Sequence, residues 1–475
     1  MLRTHFILLF TLLAAVTASG RTVDVRPGDI AAGAGITGHE EVLTITGSLD
    51  ASDLDRLADC IIDVTTLDLS GVEITAYKGA RIGANITTAP AATLPTGIFA
   101  GLRVKKLILP ATLTAIGDGA LMGSAISEIS VPESVTAIGR NAFAGCASLR
   151  SIALPQSLTV IPDGMAEGCG ALTSVTVPAG VSRIGGRAFF GCGSLTAIDW
   201  PEALTELGEE SFALSGIAAA DLSRCTALTT IGARAFAHCH SLAAAKLPGN
   251  AAGMGQGVFF ECKTLTTVCL PVSAVTVPPL TLKGADQVSA LELPARAEVI
   301  DTLALAGASR IATLTLPSSL SHIADGAFEN CTGLVEIDGS NLPAVPTLGD
   351  AVWVGVNQPD VRLTVAKTLE NDFLTAPQWQ DFSIRYTGIL STTDGRDGEL
   401  TAAFEGMILT VTSTLQLSTV ELFSTDGRLL ISTAPEGDTS VALIDTSAFA
   451  GPFFIVRVTA QCGSLPATFK LLRQP

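Results

Sequence analysis

The fold of this chain is decided by residues 154–201, which read LPQSLTVIPDGMAEGCGALTSVTVPAGVSRIGGRAFFGCGSLTAIDWP. Pro155, Pro178 and Pro201 are 23 residues apart, and each follows a short run in which apolar and polar residues alternate. Alternation with a period of two is typical of a half-buried β-strand, and a proline ends such a strand because it lacks a backbone donor. The stretch therefore contains successive copies of one strand-and-turn unit.

The same spacing extends in both directions from this stretch. Further prolines at the equivalent position are Pro110, Pro132, Pro248, Pro271, Pro294 and Pro317. The gap from Pro201 to Pro248 is 47 residues, which is two units plus one residue, and Asp221-Leu222-Ser223 replaces the missing proline. A unit of this length cannot bury its apolar side chains alone, so stacked units must share a continuous core.

Each unit repeats one set of apolar positions, seen in Leu172, Val175, Val177, Val181, Ile184 and Phe189. This pattern recurs about ten times between about Ile98 and Gly339 and resembles the leucine-rich repeats of the BspA-like family of bacterial surface proteins. The resemblance implies a right-handed solenoid with a parallel sheet along one face. We predict a mainly β leucine-rich-repeat solenoid of about 23 residues per turn, with N- and C-terminal caps and a small β-sandwich domain after it. Met254 to Gly257 and Pro278-Pro279 predict the loss of the second strand in two repeats.

The first twenty residues have the features of a secretory signal peptide. Arg3 and His5 precede an apolar run from Phe6 to Val16, and residues 18–20 are small enough for cleavage. The run is shorter than the roughly 20 apolar residues of a membrane span. We expect an exported protein without a transmembrane segment after signal removal, at the outer cell surface or in the extracellular space. Residues 21–95 are predicted to form the N-terminal cap, with a helix that Asp50 or Ser52 caps and that ends near Cys60.

The repeats are predicted over residues 96–340, and the chain after them divides into three parts. Residues 341–388 resemble the C-terminal cap of the same family, in which a helix over 368–376 and the pair Trp379 and Phe382 seal the last turn. Residues 389–400 are a polar linker. Residues 401–475 contain short alternating strands, with Asp426-Gly427 as a hairpin turn signal, and predict a β-sandwich.

This tail resembles the C-terminal sorting domain of the type IX secretion pathway of Bacteroidetes. The matching segments are STDGRLL at 424–430, GPFFIVRV at 451–458 and FKLL at 469–472. The resemblance implies recognition by the secretion machinery. A stable β-sandwich without a sorting role is the alternative.

Ten cysteines in an exported chain suggest disulfides, but six of them share one repeat position. These six are Cys146, Cys169, Cys192, Cys239, Cys262 and Cys331. Neighbouring turns lie about 4.8 Å apart, and side chains that run parallel in register do not favour a disulfide or converge on a metal ion. We predict that they act as small buried hydrophobic residues. Cys60, Cys225, Cys269 and Cys462 lie outside this ladder, and Cys269 is expected to be an exposed thiol at an outward strand position.

The sequence holds no nucleophile motif, phosphate-binding loop or paired metal-binding histidines. His238 and His240 flank Cys239, and alternation directs the histidines outward and the thiol inward, so one ion cannot easily contact all three. The net charge of −17 and the absence of a basic patch make nucleic acid a poor candidate partner. We predict a non-enzymatic protein with no catalytic residue, bound metal or cofactor.

Function therefore falls on the solenoid surface, and the outward side chains of the first strand form the candidate binding face. They stand two and four residues before each proline position. The candidate residues are Lys106, Glu128, Ser130, Ser151, Ser174, Thr176, Asp199, Asp221, Lys246, Thr267, Glu292, Thr313, Thr315 and Asp338. They are small or mildly polar, and they lack the Trp and Tyr that dominate binding hot spots.

The BspA-like resemblance implies attachment to host extracellular proteins or to other bacteria through protein or glycan ligands. Two alternatives stay open. One is a structural spacer or scaffold at the cell surface, which the plain strand face favours. The other is an accessory protein that presents glycans or peptides to neighbouring enzymes.

Overall fold

The computed structural model describes residues 20–30, 35–251, 253–387, 400–405, 408–413, 417–423, 428–434, 441–446, 453–460 and 467–472. Most of these residues form a mainly β solenoid of about 16 turns, with about 23 residues per turn and parallel strands. The predicted solenoid is therefore confirmed. The predicted signal peptide lies outside the described residues, except for Gly20.

One first strand from each turn contributes to a long parallel array, which we call the strand face. The register is even: Ser151 pairs with Glu128 on one side and with Ser174 on the other. The strands are Arg21–Val25, Val42–Leu49, Thr66–Ile74, Lys106–Ile108, Glu128–Ser130, Ser151–Ala153, Ser174–Thr176, Ala219–Asp221, Ala244–Lys246, Thr267–Cys269, Ala290–Glu292, Thr313–Thr315, Glu336–Gly339, Arg362–Ala366 and Ser383–Thr387. Hydrogen bonding divides the array into three sheets, with breaks after Thr176 and after Glu292.

The first break coincides with Trp200. Residues 195–200 form no strand, and Trp200 occupies the position that Leu154 and Val177 fill in the two preceding turns. The indole is larger than those buried side chains, and it packs edge-on against Phe212 and Phe236, with ring centroids 5.1 and 6.0 Å away. A bulky residue thus stands at the position where the strand ends in the two preceding turns, and the ladder is interrupted there.

The prolines end the first strands as predicted and start a tight turn. The proline carbonyl accepts a hydrogen bond from the residue three positions on, as from Leu158 N to Pro155 O at 3.0 Å. A two-residue second strand follows in the turns from Thr66–Ile74 to Glu336–Gly339. The second strands are Thr93–Leu94, Ala115–Ile116, Ala137–Ile138, Val160–Ile161, Arg183–Ile184, Glu206–Leu207, Thr230–Ile231, Gly253–Met254, Thr276–Val277, Val299–Ile300, His322–Ile323 and Thr347–Leu348. The expected loss of this strand near Met254 and Pro278 was wrong, because Pro278 falls after the strand and the pairing needs only backbone groups.

Two residues per turn, four positions apart, adopt the left-handed backbone conformation. They are Arg187 (φ 54°) and Gly191 (φ 70°) in one turn, and Glu210 (φ 51°) and Leu214 (φ 59°) in the next. An L residue in this conformation costs about 1–2 kcal/mol, whereas glycine adopts it without a steric penalty. The recurring glycine before the ladder cysteine is therefore a conformational preference of the repeat.

The solenoid core is one continuous cluster in which equivalent side chains of successive turns stack. Four fully buried phenylalanines show this arrangement most clearly. Ring centroids lie 5.1 Å apart for Phe189 and Phe212, 5.8 Å for Phe212 and Phe236, and 5.9 Å for Phe236 and Phe259. Each such pair contributes about 0.5–1.5 kcal/mol beyond the burial of apolar area. The stack ties four turns together.

The ladder cysteines are buried and free, as the sequence predicts; they are Cys146, Cys169, Cys192, Cys239, Cys262 and Cys331. Their thiols donate to backbone carbonyls of the preceding turn, as from Cys192 Sγ to Ala166 O at 3.2 Å. Burial raises the pKa of the Cys192 thiol to about 12 and so keeps it protonated. Ser124 occupies the same position in an earlier turn, with its hydroxyl 3.2 Å from Cys146 Sγ.

Cys269 corrects the expectation of an exposed thiol. Its side chain is 6% exposed and is disulfide-bonded. The eight other cysteines among the described residues are free. Lys246 and Glu292, at the equivalent position in the adjacent turns, are half-buried. The positions two residues before the proline are therefore less exposed around this turn than those from Ser130 to Asp221, whereas Thr267 in the same strand is exposed.

The chain before the first proline turn adds a capped helix to the first three strands. Asp50 accepts hydrogen bonds from Ser52 N and Asp53 N at 2.8 and 3.2 Å, and the Asp53 carboxylate accepts one from Asp50 N at 3.3 Å. This capping box confirms Asp50 as one of the two predicted caps. The helix is Ala51–Cys60, and an unpredicted antiparallel hairpin follows with strands Tyr77–Ile82 and Ile86–Ala89.

Aromatic side chains close the last turns of the solenoid. Trp379 is 1% exposed, and its Nε1 donates to Pro346 O at 3.0 Å. Its ring centroid lies 5.4 Å from that of Trp353 and 5.3 Å from that of Phe373. The predicted helix near Phe373 is present. The elements here are the 3₁₀ helices Gln358–Asp360 and Lys367–Leu369 and the α-helix Glu370–Thr375.

The tail strands form two antiparallel sheets. One contains Leu400–Glu405, Ile408–Ser413 and Val441–Asp445; the other contains Leu417–Phe423, Leu429–Thr433, Phe453–Ala460 and Ala467–Leu472. Leu409 and Ile444 of the first sheet and Val420 of the second belong to one buried cluster. The β-sandwich stays a prediction that this cluster favours. The Asp426-Gly427 turn and linker residues 389–399 lie outside the described residues. Across the part of the chain that the structure describes, no helix is both long and apolar enough to cross a membrane.

Candidate binding face

The structure places the fourteen predicted binding residues along the strand face. All but Asp199 lie in its strands, and Asp199 lies in the strandless segment 195–200. The register brings them together in two rows. The first row contains Lys106, Glu128, Ser151, Ser174, Thr267 and Thr313, and the second contains Ser130, Thr176, Asp199, Asp221, Lys246, Glu292, Thr315 and Asp338.

The two ends of this face differ in exposure. Predicted residues of the strands from Glu128 to Asp221 are all exposed. From Lys246 onwards most predicted residues are half-buried, including Glu292 and Asp338, although Thr267 and Thr315 are exposed. These are equivalent positions of one repeat, so the difference reflects what surrounds them. The turns from Lys106 to Asp221 therefore form the open part of the face.

A shallow cavity of about 510 Å³ lies at the N-terminal end of the open part. Four predicted residues line it, namely Lys106, Glu128, Ser130 and Ser151. Arg150 and Thr173 complete its polar lining, and Leu107, Ile108 and Ile129 provide apolar atoms. Arg150 and Thr173 were not predicted, because they lie five residues before a proline and the predicted face includes only the positions two and four residues before it. The signal for Arg150 is a charged residue five positions before Pro155, directly ahead of the strand.

Lys106 and Arg150 differ from those arginines of the solenoid that form ion pairs across turns. Arg183, for example, lies 3.1 Å from both an Asp163 carboxylate oxygen and a Glu206 carboxylate oxygen on adjacent turns. Neither Lys106 nor Arg150 has a carboxylate oxygen of a described residue within 4.0 Å. The cavity therefore offers two unpaired cations in a chain with a net charge of −17.

The histidine cluster singled out from the sequence does not form a metal site within the described ranges. The His238 and His240 rings have centroids 6.0 Å apart, His238 packs edge-on against Phe260, and Cys239 is fully buried. No group of three or more His, Cys, Asp or Glu side chains in those ranges could hold a metal ion.

Stacked turns of about 23 residues with a parallel strand face define a leucine-rich-repeat protein. The family model for the BspA type leucine-rich repeat region matches residues 92–218 and 217–335, with six copies. These segments span just over half of the chain, and the chain belongs to this family. Proteins of this family and fold are generally non-enzymatic.

A solved structure shares the fold. A leucine-rich repeat protein from Bacteroides ovatus is 22% identical, with 77% of this chain and 88% of that chain covered and a TM-score of 0.56. A leucine rich cell surface protein from Faecalibacterium prausnitzii is also 22% identical, with 64% of this chain and 80% of that chain covered and a TM-score of 0.35. No match was found among curated proteins.

Proposed function

We propose that this chain is an exported protein of the outer cell surface or extracellular space, and that it binds other macromolecules through the open part of its strand face. The observation that carries the proposal is the exposed array from Lys106 to Asp221, whose strands pair in register from Lys106 to Thr176. Because stacked turns hold these side chains in place, a ligand pays little entropy to order them. The ligands are proteins or glycans on host or bacterial surfaces.

The chemistry of the array favours many modest contacts over a few strong ones. The exposed residues are mostly Ser, Thr, Ala and Asp, and no aromatic side chain belongs to the two rows. Six turns at about 4.8 Å give a face roughly 25 Å long. We expect specificity to come from charge and hydrogen bonding along the rows.

Export and surface display form the second part of the proposal. They rest on the signal-like residues 1–20 and on the resemblance of the tail to the type IX sorting domain, which the secretion machinery would recognise. Deletion of residues 386–475 should then retain the chain in the periplasm. Unchanged surface display of the shortened chain would refute the sorting role.

A structural spacer or scaffold is the second candidate function. The flat, weakly featured strand face favours it, because such a surface lacks the aromatic anchors of strong binding sites. A role in presenting glycans or peptides to neighbouring enzymes is a further variant.

One experiment separates binding from scaffolding. The chain without its signal is applied to an array of matrix proteins, mucins and bacterial glycans, and its self-association is measured by sedimentation. Saturable binding to one ligand class supports the binding proposal. Absence of binding together with concentration-dependent self-association would move the assignment to the scaffold.

A further inference from the structure

We infer that the cavity at Lys106 and Arg150 binds the carboxylate of an acidic sugar in a glycan. The inference rests on the proposed binding function and names the ligand class for one part of the open strand face. The carboxylate could belong to a sialic acid or to a uronic acid, which present the same chemistry.

The cavity is lined by two cationic side chains. Arg150 and Lys106 are exposed, line the same cavity and lack a carboxylate partner among the described residues. A guanidinium binds a carboxylate through two parallel hydrogen bonds, and an ammonium adds a compact charge beside it. An anionic group is therefore the chemical class that this pair recognises.

Two serines and one glutamate beside the cations indicate which kind of anionic ligand fits the cavity. The hydroxyls of Ser130 and Ser151 line the cavity and make no hydrogen bond to another described residue. The Glu128 carboxylate lies between the Lys106 and Ser151 strands and can accept hydrogen bonds from hydroxyl groups. A sugar acid combines one carboxylate with several hydroxyls, so it satisfies cations, hydroxyls and Glu128 together. Densely charged sulfated or phosphorylated polymers are disfavoured, because Glu128 and the net charge of −17 repel them.

The shape of the cavity argues against two other ligand classes. No aromatic side chain lines it, so a neutral sugar finds no stacking platform. Of its apolar residues, Leu107 and Ile129 are 1% and 7% exposed and Ile108 is half-buried, so a peptide finds little area for an apolar anchor. A volume of about 510 Å³ lies within the usual range for small-ligand sites, about 300–1,000 Å³.

Calorimetric titration of the whole chain with defined probes tests the inference. The probes are 3′-sialyllactose, a galacturonic acid trimer, lactose as the neutral sugar and poly-glutamate as the acidic peptide. We expect binding of one or both sugar acids, no binding of lactose, and weaker binding at higher salt. The sialylated and uronic acid probes distinguish the two sources of the carboxylate.

Two arginine variants locate the site. Arg150→Gln should weaken binding of the sugar acid at least tenfold, whereas Arg296→Gln, at an exposed arginine outside the strand face, should leave it unchanged. Equal weakening by both variants, or binding of lactose or poly-glutamate as tight as that of the sugar acids, would overturn the inference. Failure of both sugar acids, with binding to an array ligand intact, would overturn it and leave the proposed function standing.

Discussion

Two glycines in one turn provide a direct test of the backbone geometry of the repeat. Gly191 has φ +70° and Gly193 does not have a positive φ. A Cβ at Gly191 would meet only ordinary contacts, 3.7 Å or more away, and one at Gly193 would meet nothing within 4 Å. The two substitutions to alanine therefore differ mainly in the conformation that the new residue must adopt.

The expected magnitude follows from two opposing effects. Either alanine restricts the unfolded chain, which stabilises the folded state by about 0.4–1 kcal/mol where the backbone is compatible. At Gly191 the left-handed conformation adds a cost of about 1–2 kcal/mol, so Gly191→Ala should be net destabilising by roughly 1 kcal/mol. Gly193→Ala should be mildly stabilising. The unfolded-state effect is common to both and cancels in the comparison.

Native-state hydrogen exchange measures this difference in the turn itself. The amides to follow are Phe189 N, which donates to Ser211 O at 2.8 Å, and Leu195 N, which donates to Cys192 O at 3.0 Å. A separation of about 1–2 kcal/mol between the variants corresponds to roughly 5- to 30-fold in exchange rate. Slower or equal exchange in Gly191→Ala relative to Gly193→Ala would refute the assigned geometry.

Three further predictions concern the core, the thiols and the N-terminal region. Phe212→Ala should lower the unfolding free energy by about 3–5 kcal/mol and Phe212→Leu by much less, because Phe212 is fully buried between Phe189 and Phe236; equal losses in chemical denaturation would contradict the stack. Iodoacetamide at pH 8 should modify the half-buried Cys60 before Cys192, whose pKa burial raises to about 12, and equal rates in peptide mass spectra would contradict this. Burial acts to raise the pKa of Glu40, but hydrogen bonds from Thr37 and from the backbone of Gly38 and Glu40 together lower that pKa, so the stabilisation is present above the ordinary value of 4.5 and is lost as pH falls through the folded value. Glu40→Gln should therefore lower the melting temperature at pH 7 and not near pH 3, and an equal effect at both pH values would show that ionisation is irrelevant.

Features set by local spacing could be predicted from the sequence. The proline interval located the first strands, and the shared position of the six cysteines indicated buried thiols. Asp50 or Ser52 was predicted to cap the first helix because helix caps have a local signature, and the family resemblance implied that Trp379 and Phe382 seal the last turn. All of these depend on residues within one or two turns of each other.

Features that depend on how turns and distant segments pack could not be predicted. Alternation directs Cys269 outward, but its burial and its disulfide depend on contacts between residues far apart in the sequence, which no local pattern encodes. Arg150 precedes its strand, so its place in the cavity depends on how three neighbouring turns stack. The break in the ladder coincides with Trp200, and the hydrophobic pattern of the repeat does not reveal it because tryptophan fills the same apolar position as Leu154 and Val177.

Binding by strand-face variants tests the central claim most directly. The array ligand is titrated against the parent chain, the double variant Thr176→Glu with Thr315→Glu, and the control Thr159→Glu, which adds a charge beside the second strand. All three threonines are exposed, so folding should be unaffected. The strand-face account predicts loss of binding in the double variant and parent-like binding in the control. Parent-like binding in the double variant, or equal loss in the control, would contradict it and move the site to the loops or the ends of the solenoid.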